Sequence, residues 1–217
     1  YGKQKKETIT GSVATVKGAD LVKSPAMNLS NSIAGRMSGV IAVNRSGEPG
    51  YDGAGIRIRG SNTLGNNDAL IVIDGIPARA GGIDRLNPND IETISVLKDA
   101  SAAIYGARAA NGVILVTTKR GKEGKPELTY QFNQGFAQPT TIPKLSETLK
   151  TWSPQTRHNL QLNGGSEGLR YMASLGYQNQ DAYYKNSATG FKQYDMRINL
   201  DAKINEYIDL QIGVLAR

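Results

Sequence analysis

Apolar and polar residues alternate with a period of two through much of the second half of the chain. Tyr194, Met196, Ile198, Leu200, Ala202 and Ile204 fall on one side, and Asp195, Arg197, Asn199, Asp201 and Lys203 on the other. Leu169, Tyr171, Ala173, Leu175 and Tyr177 alternate in the same way with Arg170, Met172, Ser174, Gly176 and Gln178, and Ile208, Leu210, Ile212 and Val214 continue the pattern. Shorter versions occur at Leu128, Tyr130, Phe132 and at Leu160, Leu162. Successive strand residues point to opposite faces, so the pattern predicts long strands with one apolar and one polar face. A strand of about 9 to 11 residues of this kind suits a membrane barrel, where lipid touches one side and water or protein the other. A soluble sheet packed on one face alternates similarly. Length and the repeated aromatic residues favour the barrel. Since the smallest bacterial barrels have about 8 strands, five cannot close one, and more strands are expected beyond Arg217.

The first half has another pattern. Short apolar runs, GVIAV (39–43), IRIRG (56–60), ALIVID (69–74), ETISVL (92–97) and GVILVTT (112–118), alternate with glycine-rich turns and predict one sheet built from five short strands. Ser24-Pro25 is a cap followed by proline, and Leu29, Ile33 and Met37 recur every fourth residue, predicting a helix of about three turns near 26–38 packed on that sheet. Asp99 or Ser101 can cap a second short helix through Tyr105, with Gly106 near its end. The two halves meet at the charged, Gly- and Pro-containing KRGKEGKP, read as a solvated linker. The expected organisation is an α+β domain over 1–121, a linker over 122–126 and antiparallel barrel strands over 127–217.

With 217 residues the chain has ample sequence for a core. It has no cysteine, which excludes disulfides and thiolate metal sites, and its one histidine, His158, excludes multi-histidine zinc sites. His158 is read as a polar strand position. No apolar run approaches the roughly 18 residues of a membrane-spanning helix, and YGKQKKETIT lacks the apolar centre of a signal peptide, so any targeting segment is expected to be removed or upstream. The net charge is +7, with 17 basic against 11 acidic residues in 1–125 and 9 against 8 in 126–217. This excess is dispersed, and no aromatic platform accompanies it, so nucleic acid is not an expected partner.

The segment Asp90 to Arg120, DIETISVLKDASAAIYGARAANGVILVTTKRG, closely resembles the end of the plug domain in TonB-dependent outer-membrane transporters of the SusC/RagA branch. SIAGRMSGVIAV, IRIRGSNTL and LIVIDGIP fall in the order and spacing of the same plug, and YGKQKKETITGSV resembles the stretch just after the TonB box in this family. The likeness covers residues 1–136, and the later strands resemble the start of the barrel. It implies an α+β plug followed by the first strands of a transmembrane β-barrel of about 22 strands. It further implies TonB-dependent import of an oligosaccharide or peptide across a Gram-negative, Bacteroidota-like outer membrane. The implied partners are a SusD-like surface lipoprotein, outer-membrane lipid and TonB, acting through a segment upstream of Tyr1.

Ile56 and Ile58 share one strand face and Arg57 and Arg59 the other, and the resemblance implies that these arginines meet carboxylates of the barrel wall. The loops 45–53, 61–69 and 77–85 are rich in Gly, Asn, Asp and Arg. In this family such loops face substrate, which points to Arg45, Glu48, Tyr51, Asp52, Asn62, Asn66, Asn67, Asp68 and Arg79. Asp74-Gly75 reads as a turn. No phosphate loop, catalytic constellation or metal set is visible, so neither an enzyme nor a cofactor is expected. Among the barrel residues, Tyr171, Leu175, Met196, Ile198, Leu200, Leu210 and Ile212 are expected to face lipid, and Arg170, Arg197, Asn199, Asp201 and Lys203 the lumen. The alternative from another class is a secreted glycan-binding or adhesion module with a soluble β-sandwich, separable by whether solubility depends on detergent.

Overall fold

The computed structural model describes residues 13–24, 26–44, 46–58, 60, 67–78, 82–98, 102, 104–138, 148–187 and 189–217. The chain divides into one unit of residues 1–46 and 52–118 and a second of residues 47–51 and 119–217.

In the first unit, β1 (Val13–Lys17), β4 (Leu70–Ile73), β5 (Ile76–Pro77), β6 (Ile91–Leu97) and β7 (Val113–Thr118) form a mixed sheet in the order β1-β6-β7-β4-β5. Only the β4–β7 pair in it is parallel. Its central runs are apolar at nearly every position because both faces are covered. Ile94, Val96, Ile114 and Val116 pack with Leu21, Leu29 and Ile33, whereas Val72, Leu97 and Val113 pack with Ala102 and Ala109. The remaining pair, β2 (Val40–Asn44) and β3 (Ala54–Ile58), forms a separate antiparallel ribbon. The expected five-run sheet is therefore corrected: β1, from the polar-looking opening, and the two-residue β5 take the places expected for β2 and β3.

Two short helices lie on the first of those faces. α1 (Gly18–Val22) begins at a buried glycine, where a Cβ would collide with the carbonyl of Ile91. α2 (Leu29–Ile33) is capped by Asn28, whose side chain accepts from the Ser30 amide at 3.1 Å. The expected three-turn helix stops after five residues, because Ala34 leaves helical geometry (ψ 129°) and Gly35 comes next at φ 70°. Met37 still reaches the core, 4% exposed, through a turn. Where the second helix was expected, Ala102, Ile104 and Tyr105 have 3-10 geometry and a 3-10 turn, Ala107–Ala109, follows Gly106, while Asp99, Ser101 and Ala103 lie outside the described residues.

The second unit is one antiparallel meander of β8 (Gly124–Ala137), β9 (Ser153–Gly165), β10 (Leu169–Gln180), β11 (Phe191–Lys203) and β12 (Asp209–Ala216). β8 takes up residues 124–126, which the sequence suggested were linker, pairing Gly124 with Gly165. The register aligns Leu128 with Leu162, Leu160 with Leu175, Leu175 with Met196, and Leu200 with Ile212, so one face is continuously apolar. The opposite face carries Arg170 beside Asp201 and Ser174 beside Arg197. At one end the strands join through the short turns 166–168 and 204–208. At the other, residues 148–153 and 181–185 extend the ladder, with a Lys150–Asp181 ion pair of 2.6 Å.

Ile94 is fully buried at the centre of the first unit's core. Ile94→Ala should destabilise this unit by about 2 to 5 kcal/mol. Native-state hydrogen exchange of the β6 and β7 amides reads this, and unchanged protection would contradict the assigned core.

Candidate functional site

Polarity in the second unit runs opposite to that of a water-soluble sheet. Leu128, Leu175 and Tyr194 on the apolar face are 66%, 54% and 67% exposed, while Asn159, Arg197, Asn199 and Asp201 on the other face are buried. A chain segment lies on this polar face. Asn199 Nδ2 donates to the Lys119 carbonyl at 2.6 Å, and Arg120 pairs with Asp201 at 2.5 Å. The Asn163 side chain donates to the Arg120 carbonyl at 3.3 Å and accepts from the Lys122 amide at 2.9 Å. The KRGK portion of the expected solvated linker is thus tied down on β9 and β11. No periodicity signals this, because its partners lie some 40 and 80 residues away in sequence.

Just upstream, Asp74 is more than a turn residue. Held at φ 48°, its carboxylate accepts from both the amide and the hydroxyl of Thr118, at 2.8 and 2.7 Å. It fastens the last residue of β7 to the end of β4.

The expected substrate residues are divided among different environments. In the second unit, the Gly50 amide donates to Gln180 Oε1 at 2.8 Å, and a Cβ at Gly50 would meet the Phe191 ring. On either side, Glu48 and Tyr51 are exposed, Tyr51 at 72%. In the first unit the Asp52 carbonyl accepts from Asn31 and Asn44, at 2.7 and 3.1 Å. Asn67 is buried, 7% exposed, rather than presented on a loop tip. Asp68 lines a cavity of about 520 Å³ together with Asp84, Arg108 and Asn111, residues that the loop reading missed. Arg45, Arg59, Asn62, Asn66 and Arg79 lie outside the described residues. Arg57 is half-buried, on the opposite face of β3 from the core residues Ile56 and Ile58.

Burial raises the Asp84 carboxyl above its ordinary value. A hydrogen bond with Ser30 opposes this, the Asp52 charge adds to it and Arg85 opposes it.

His158 is corrected from a polar to an apolar-face position, since it shares the face of Leu160 and Leu162. Its Nδ1 hydrogen-bonds with the Tyr130 hydroxyl at 2.7 Å, and the Phe132 and Tyr177 rings lie 4.9 and 6.0 Å away. Tyr194 extends the ring cluster from Tyr177, at 5.0 Å. A ring surface with a few polar tips suits a membrane–water boundary. Among the described residues no helix is long and apolar enough to cross a membrane, and no group of three or more acidic or histidine side chains is placed to hold a metal.

A small α+β unit joined to a polarity-inverted antiparallel meander defines a plug-and-barrel class of protein, and comparison with known proteins specifies it. The sequence profile of the TonB-dependent Receptor Plug Domain matches residues 5–113. The TonB-dependent receptor SusC of Bacteroides thetaiotaomicron is 38% identical over 92% of this chain, and the TonB-dependent receptor P26 of Formosa agariphila is 32% identical over 99% of it. The chain spans about a quarter of these relatives, 24% and 27% of their lengths. Among solved structures, the RagAB peptide importer in its open-open state superposes with a TM-score of 0.89 at 27% identity, over 99% of this chain and 31% of that one. The siderophore receptor PirA of Acinetobacter baumannii, at 23% identity and a TM-score of 0.69 over 94% of this chain and 31% of that one, shares the fold. The chain belongs to the TonB-dependent receptors, in their SusC/RagA branch.

Because the folded-state value of Asp84 lies above that of the unfolded chain, folding favours its neutral form. The associated stability is present below the ordinary 3.8 and is lost as pH rises through the raised value. Asp84→Asn should remove this component of the pH dependence of plug unfolding between acid and neutral pH, and an unchanged profile would show that Asp84 does not contribute it.

Proposed function

We propose that the transporter containing this chain imports a large nutrient, an oligosaccharide or a peptide, across the outer membrane of a Gram-negative bacterium, with residues 1–121 as the gating plug. The observation that carries this reading is the inverted polarity of β8–β12 directly after a plug domain. β9, with 13 residues, measures about 43 Å at about 3.3 Å per residue, long enough to cross a hydrocarbon core of about 30 Å when tilted about 45°. Short turns at one end and longer connections at the other match periplasmic and extracellular ends. On this reading Tyr171, Leu175, Met196, Ile198, Leu200, Leu210 and Ile212 face lipid, and Arg170, Arg197, Asn199, Asp201 and Lys203 face the lumen of a barrel of about 22 strands. Such a lumen leaks unless a folded domain fills it.

Glu48, Tyr51, Asp52 and Asp68, with Arg45, Asn62, Asn66 and Arg79, are the proposed substrate contacts, whereas the buried Asn67 is not among them. Tyr51 supplies an exposed ring face. The partners are a SusD-like lipoprotein above the plug and TonB, pulling on the chain before Tyr1. The adhesion-module reading finds no support: a sandwich needs a second sheet over the apolar face, and among the described residues the second unit contributes a single sheet.

Uptake of fluorescent oligosaccharides and peptides by cells expressing the complete transporter should stop when TonB is deleted, and uptake that persists would reject energised import. Ile198→Arg should lower the stability of the lipid-embedded barrel by about 2 to 4 kcal/mol, and no loss would reject the lipid-facing assignment.

Arg57 and Arg59 are proposed to hold the plug to the wall through carboxylates. The double replacement by Ala should leave an insertable barrel that leaks large antibiotics and takes up substrate poorly. Wild-type leak and uptake together would rule this role out.

A further inference from the structure

We propose that residues 119–122 are a fixed strap that ends the movable part of the chain, so that tension applied from the N-terminal side stops at Arg120 and leaves β8 in the sheet. The proposal rests on the reading of the domain before the strap as a plug that TonB remodels. Its sequence, Lys-Arg-Gly-Lys, has the composition of a flexible linker, but its geometry is that of an attachment. The strap crosses three strands. On β11 it is held by Asn199 and Asp201, both under 8% exposed as whole residues. On β9 it is held by Asn163, which bonds its backbone on both sides of Gly121, and by Gln161, which accepts from Lys119 Nζ at 3.5 Å. Between them, Gly121 lies so close to β10 that a Cβ would overlap the backbone of Arg170 and Tyr171. The glycine is there for close approach, not for flexibility.

The direction of these bonds decides the mechanical outcome. A pull on Thr118 loads the Lys119 carbonyl, the Arg120–Asp201 pair and the two Asn163 bonds together, because all lie within four consecutive residues. Without them the same pull reaches Gly124, where β8 meets β9 one backbone pair at a time. The Arg120–Asp201 contact is charge-assisted and its carboxylate side chain is 8% exposed, conditions under which such a bond is short and strong. The plug side of the joint ends on the Asp74–Thr118 bonds. The strap therefore separates the part that moves from the part that must remain a sealed wall.

The complete transporter, reconstituted in lipid and pulled by its N-terminus in an atomic-force microscope, tests this without TonB, so the result is independent of whether uptake is energised. Wild type should extend through Thr118 and then stop at a separate event of higher force. In the double variant Asn199→Ala, Asp201→Asn that event should be lost, and extension should continue through residues 119–137, adding about 70 Å at about 3.6 Å per residue. The same stop at the same force in the double variant, or a wild-type extension that passes Gly124 without a separate event, would overturn the proposal. A measurement needing no variant runs alongside. The Lys122 amide, bonded to Asn163, should exchange with deuterium as slowly as the amides of β9, and exchange at the rate of an open linker would overturn it equally.

Discussion

The second unit rests on one constraint: residues two apart share a sheet face, and here the apolar set points outward. Once Leu128, Leu175 and Tyr194 are exposed, the other face must satisfy Arg, Asn and Asp without apolar packing. It does so with charge-assisted and amide hydrogen bonds, many of them to the 119–122 strap. A bilayer makes the same demand on the backbone, since strands in hydrocarbon are stable only when every amide is paired around a closed barrel. The meander's regular registers, twelve consecutive pairs between β10 and β11, meet that demand between these two strands.

The plug solves a different problem. Its sheet is covered on both faces, so its strands read as continuous apolar runs, and the small helices need only one or two turns each. Short helices carry little stability of their own. They owe their positions to Gly18, which lets α1 approach β6, and to Asn28, which caps α2. In the proposed importer, a domain assembled from short pieces around a modest core is suited to partial remodelling. The proposed wall, in which β8 to β11 run 12 to 14 residues with a long ladder, is suited to remain intact.

Between them the chain passes through two successive attachments, Asp74 on Thr118 and then the strap. The exit of the plug and the start of the wall are therefore secured separately. That separation gives physical meaning to a division between units at Thr118.

Much of this was legible in the one-dimensional pattern. The period-two alternation located the long strands and assigned their faces, because side-chain direction along a strand is local geometry. The five apolar runs of the plug marked real strands as well, mostly through continuous apolar character rather than alternation. The α2 boundary was less legible, since Leu29, Ile33 and Met37 keep helical spacing although Ala34 and Gly35 break the helix. Sheet membership, the replacement of β2 and β3 by β1 and β5, the placing of His158 among Tyr130, Phe132 and Tyr177, and the Asp84 cavity were decided by tertiary structure. So was the strap. Arg120 meets Asp201 across 81 positions, and neither residue's neighbours carry a trace of the other. Local sequence determines which way a side chain points, whereas its partner depends on which distant segment the fold delivers to that face.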